Sequence, residues 1–185
     1  MSKSTVRATA IALSLALLQC HRQPRPMTAK DVPSSPDGNE HTKEPSRMTT
    51  VTLLTTAQPK EWYQAGERPI FLADVLDETS ASPMSVGFAR YGAGASNDWT
   101  LAYDEVLVIT RGTFSVVAGG NVTTARAGEA IFLPRGTELT YRAEDDAELV
   151  YVSYPHWAEA TRRSAHAPAL ELFHPVPPAV TERAR

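Results

Sequence analysis

The chain has 185 residues and a mass of 20.1 kDa, with 18 Lys and Arg against 21 Asp and Glu, a net charge of −3 and a pI of about 6.0. Its single cysteine excludes an internal disulfide framework and any metal cluster built from cysteines alone. The charge balance excludes a strongly basic surface for nucleic acid, and the length suits one domain with tails.

Residues 1–20 read as a leader. Lys3 and Arg7 are basic, Ala8 to Leu18 is apolar but for Thr9 and Ser14, and Cys20 follows at once. The apolar run is shorter than a membrane-spanning helix and has the order of a secretory signal. Leu17-Leu18-Gln19-Cys20 resembles a bacterial lipoprotein signal, which implies export and a lipid anchor at Cys20. The alternative is a cytoplasmic protein starting at Met48, since Met48 directly precedes the first strand-like run. Residues 21–48 are rich in Pro, Ser, Lys, Asp and Glu, and are expected to be a disordered linker.

From Thr49 onward, strands are predicted at Ile70–Leu76, Met84–Tyr91, Leu101–Thr110, Thr113–Ala118, Val122–Ala125, Glu129–Leu133, Glu138–Arg142 and Glu148–Tyr154. Turn residues separate them, notably Gly119-Gly120, which can supply the positive φ values of a tight hairpin, and Pro134-Arg135-Gly136. No intervening stretch has a helical apolar period, so an antiparallel sandwich or barrel is expected, with no crossover helices. One short helix is predicted from Trp157 to Ser164, and Pro168, Pro175, Pro177 and Pro178 favour an extended or disordered end. The domain is thus placed at 49–160, with a short helix or extended tail at 161–185.

Two glycine-punctuated stretches carry a family resemblance. Glu105 is followed seven positions later by Gly112, and Gly128 is followed by Pro134 and Gly136. This resembles the two motifs of the cupins and implies a small antiparallel β-barrel, or jelly roll, behind a disordered N-terminal segment. Met84-Ser85-Val86-Gly87-Phe88, Trp99-Thr100-Leu101, Tyr103-Asp104-Glu105, Phe132-Leu133-Pro134-Arg135-Gly136 and Leu149-Val150-Tyr151-Val152 are similar to the ethanolamine-utilisation cupins. That resemblance implies a link to ethanolamine catabolism and an acetate kinase activity attributed to the family. The chain itself shows no Gly-rich phosphate loop.

The metal-binding histidines of that family pattern are missing. The His pair would fall near Asp98 to Leu101 and the last His at Leu139, while His21, His41, His156, His166 and His174 lie outside both motifs. No metal and no cofactor is therefore expected. An oxygen cluster of Asp98, Glu105 and Glu138 is the residual alternative for a harder cation.

What remains is a polar cavity. The resemblance places Glu105 inward. Tyr103, two residues earlier, would face the same way and donate to it, giving a candidate acid–base pair. Trp99, Tyr141 and Arg90 are the candidate ligand-binding residues, and Glu138 is expected to face solvent. The expected function is binding of a small polar metabolite without a metal. The alternatives are an isomerase or lyase using Glu105 and Tyr103, and a non-catalytic sensor or structural module. A homodimer is expected, with Ile70–Leu76 as an edge strand pairing across subunits.

Overall fold

The computed structural model describes residues 50–184. The leader at 1–20 with Cys20, the linker at 21–48 and the start at Met48 lie outside the described residues. Strands β1 (Trp62–Ala65), β2 (Ile70–Leu76), β3 (Ser85–Tyr91), β4 (Ser96–Thr100), β5 (Asp104–Arg111) and β6 (Thr113–Ala118) come first. They are followed by β7 (Asn121–Arg126), β8 (Ala130–Leu133), β9 (Glu138–Ala143), β10 (Ala147–Tyr154), helix α1 (Trp157–Arg162) and β11 (Phe173–Val176).

The strands form two antiparallel sheets, ordered β11-β1-β2-β3-β10-β5-β8 and β4-β9-β6-β7. This is a jelly roll of two facing sheets; among the described residues no hydrogen-bonded ladder closes them into one continuous barrel. The Gly119-Gly120 hairpin forms as its sequence requires. Both residues have positive φ, 55° and 79°, and the ladder resumes at Ala118 opposite Asn121.

Three short strands were not evident in the sequence. β4 (SNDWT) is polar and weakly strand-forming, and it becomes a strand by pairing with β9. β1 and β11 pair with each other at the sheet edge, where Pro175 can sit without disturbing the ladder. The predicted strand from Leu101 begins only at Asp104. The Leu101 N–H donates to Thr137 and its carbonyl accepts from Gly136, which takes residues 101–103 out of the sheet. β2 lies between β1 and β3, so it is no edge and cannot pair across subunits as expected. The C-terminal stretch is ordered in part as helix α1 and in part as extended β11.

Alternation decides which side chains face the second sheet. Across the large sheet, one inner row runs Ile109, Leu149, Ala89, Leu72, and the next runs Leu107, Tyr151, Gly87, Asp74. A third runs Leu133, Glu105, Ser153, Ser85. The inner surface therefore changes from apolar to polar along the strands. Phe114 and Ile109 are fully buried at its apolar end, each worth roughly 1.5–3 kcal/mol of transfer free energy. The outer face carries Val86, Val152, Val106 and Phe132 in one cross-strand row.

Candidate functional site

Between the sheets lies a cavity of about 60 Å³. It is large enough for several waters or a molecule of a few heavy atoms. Glu105 enters it from β5 and is only 6% exposed. Tyr141 reaches it from β9 on the opposite sheet and donates its hydroxyl to Glu105 Oε2 at 2.5 Å. Burial pushes the Glu105 carboxyl up to about 7, with the Tyr141 hydrogen bond opposing the shift. Burial likewise raises the Tyr141 phenol well above its usual range, and the nearby Glu105 charge adds to it.

Tyr103 also lines the cavity but does not bond Glu105 as expected. It precedes β5, and its hydroxyl accepts from Trp99 Nε1 at 2.9 Å. The sequence assigned the phenol beside Glu105 to a strand neighbour, whereas it comes from across the sandwich. Trp99 lines the cavity and is buried, packed edge-on against Trp157 at 6.3 Å and Phe173 at 5.8 Å. Trp157 and Phe173 also meet each other at 5.9 Å, and this aromatic trio walls the cavity.

Arg90 is not in the cavity. It alternates outward from β3, where its guanidinium lies 4.5 Å from the Trp62 ring and donates to Thr181 at 2.5 Å. Asp98 and Glu138 are exposed on the outer side of the small sheet, so the oxygen cluster with buried Glu105 does not form. Among the described residues no three of His, Cys, Asp and Glu converge. The cavity supplies one carboxylate, phenols and the Asn97 amide, a donor set that does not fit a transition-metal ion.

The sequence reading missed a second buried carboxylate. Asp74 on β2 accepts from Tyr151 at 2.8 Å and from Trp157 Nε1 at 3.0 Å to both oxygens. Burial pushes it up to about 6, against those hydrogen bonds. Gly87, between Tyr151 and Asp74 on the sheet, was the available signal, because a strand-interior glycine marks close approach of another group.

Comparison with known proteins fits this geometry. The family model for ethanolamine utilisation protein EutQ matches residues 28–159. The chain belongs to this family. Similar curated members include acetate kinase EutQ of Clostridioides difficile, 40% identical over 62 residues, which are 33% of this chain and 40% of that protein. Acetate kinase EutQ of Salmonella typhimurium is 31% identical over 84 residues, 45% of this chain and 36% of that protein. The chain thus matches well under half the length of these EutQ relatives. An RmlC-like cupin from Shewanella frigidimarina shares the fold, with a TM-score of 0.50 and 13% identity over 60% of this chain and 96% of its own.

Proposed function

We propose that this EutQ-family cupin binds a small polar metabolite in the cavity around Glu105, without a metal ion. The observation that supports it is a buried carboxylate held by one phenol in a space lined by no Lys, Arg or His. Such a group is costly to bury unless it serves a partner. Ligand-observed NMR on the full chain, against a panel of small polar metabolites, tests the reading. Saturable binding that is lost in Glu105→Gln is expected. A panel with no saturable binder would leave the sensor reading without support and favour a purely structural module.

A second reading, acid–base catalysis by an isomerase or lyase, is favoured by the Glu105 carboxyl standing near 7. Its phenolic partner would be Tyr141 in place of Tyr103. Turnover abolished in Glu105→Gln with the fold intact supports it, and residual turnover near wild type counts against it. The cavity offers no cationic side chain to clamp a transferring phosphoryl group, so the acetate kinase activity named for the relatives gains no support from this site.

The homodimer, no longer available through β2, would use the outer face of β3, β10, β5 and β8. There Phe132 is 64% exposed in an uncharged row with Val106, Val152 and Val86. A monomeric mass in solution at all concentrations rules this out. Export with a lipid anchor at Cys20 rests on the leader composition. Fatty-acid labelling lost in Cys20→Ser supports it, and an unlabelled cytosolic protein favours the Met48 start.

A further inference from the structure

We infer that the ligand of the Glu105 cavity is a compact monocation, an alkylammonium of a few heavy atoms, held between the carboxylate and the surrounding aromatic ring faces. This rests on the binding reading above and names the chemical class that the same site would take.

The lining decides the sign of charge. Glu105 is the one charged side chain among the described cavity residues, and nothing beside it supplies a compensating positive charge. Most hydrogen-bond donors in the wall are already engaged. Tyr141 donates to Glu105, Tyr151 and Trp157 donate to Asp74, Tyr91 donates to Asn97 at 3.0 Å, and Trp99 donates to Tyr103. The Tyr103 O–H and the Asn97 amide N–H groups are not engaged in these bonds. An anion would meet these few neutral donors beside a carboxylate. A cation would meet the carboxylate and the aromatic rings of Trp99, Phe114 and Tyr91 that line the cavity, groups of the kind that recognise ammonium ions. The rings are fixed by their own contacts, with Tyr91 edge-on to Phe114 at 4.9 Å and Phe114 tilted on Tyr141 at 6.2 Å. The volume of about 60 Å³ restricts the cation to a small one.

Protonation gives the inference its sign test. Without a partner, the Glu105 carboxyl is pushed up to about 7 by burial. A cation binds only the ionised form, so its apparent affinity rises with pH through that value, and binding releases a proton. An anion requires the neutral acid and shows the opposite slope. The groups facing Glu105 are Tyr141 from β9, Tyr91 from β3, Tyr151 from β10 and Tyr103 from the preceding loop. Burial holds all these phenols above their ordinary range, so they stay neutral across the window. Asp74 lies behind Tyr151 and titrates near 6, and His156 stands two strands away against Ser85.

The test titrates the full chain with methylammonium, acetate and acetamide, following the Trp99 indole N–H by NMR at pH 6 and pH 8. Methylammonium is expected to bind saturably and about tenfold more tightly at pH 8. Glu105→Gln, checked for folding by its amide spectrum, is expected to lose that binding at both pH values. Tyr141→Phe removes the bond that holds the Glu105 carboxyl down, so the rise in methylammonium affinity is expected to move to higher pH. Acetate or acetamide binding more tightly than methylammonium, or any affinity that grows as pH falls, overturns the cationic class while leaving the cavity a binding site. No response to methylammonium in the wild-type chain overturns the inference outright. The broader reading then depends on the metabolite panel alone.

Discussion

The Tyr151 hydroxyl donates to Asp74 over 2.8 Å, from β10 to β2, with β3 lying between them. The phenol crosses that strand at Gly87, where a β-carbon would overlap the ring and also press on the Ala73 carbonyl. A single absent methyl group thus lets a side chain on one strand satisfy a buried carboxylate two strands away.

Gly87→Ala is therefore expected to displace Tyr151 and strand Asp74. Overpacking costs about 1–3 kcal/mol, and a weakened buried hydrogen bond adds about 1–3 kcal/mol. Urea denaturation checks it, and a variant as stable as the wild type contradicts the crossing geometry.

Stability is expected to fall as pH rises. Asp74 is raised from 3.8 to about 6 and Glu105 from 4.5 to about 7, so the folded chain binds more protons than the unfolded chain between pH 4 and 7. Both groups stabilise the fold when protonated, and that contribution is lost as pH climbs through the folded values. Each is worth roughly 3 kcal/mol at most. Unfolding free energies at pH 5 and pH 7.5 measure the slope. Asp74→Asn should flatten its lower part and Glu105→Gln its upper part. A stability that increases over this range is incompatible with buried, proton-hungry carboxylates.

Trp157 is expected to act as the door of the cavity. It lines the inner cavity and also the groove outside it, where Glu61, Asp77 and Glu78 lie, and its N–H holds it to Asp74. Trp157→Ala should speed hydrogen exchange of the Trp99 indole N–H at least tenfold. Trp157→Phe, which keeps a ring but loses the anchor, should fall in between. Equal exchange in all three proteins would place the opening elsewhere.

Arg90→Met is expected to cost about 1–2 kcal/mol of stability through its loss over Trp62 and to Thr181. Binding in the cavity should not change. A binding defect in a folded Arg90→Met protein would contradict its outward position.

Much of this site was legible in the residues. The cupin resemblance carried by Glu105 and Gly112 implied an inward carboxylate, and Gly119-Gly120 located one hairpin turn, although its second strand starts at Asn121 and not Val122. Arg90 was legible too, had period two been followed strictly: Ala89 faces inward, so Arg90 faces outward with Phe88 and Val86. Tyr103 was not, because no local pattern shows that the backbone leaves the sheet at 101–103 to bond residues 136 and 137. The Tyr141 and Tyr151 contacts depend on how two sheets stack and on which strand flanks Gly87. Those are long-range facts that a linear pattern does not carry.

Phe173 completes the aromatic wall from β11, and among the described strands β11 pairs with β1 alone. The cavity is therefore finished by the last strand, in chain order, of the described residues. Proteolytic trimming or a premature stop upstream of Phe173 would yield a chain with its core strands intact and its pocket unroofed.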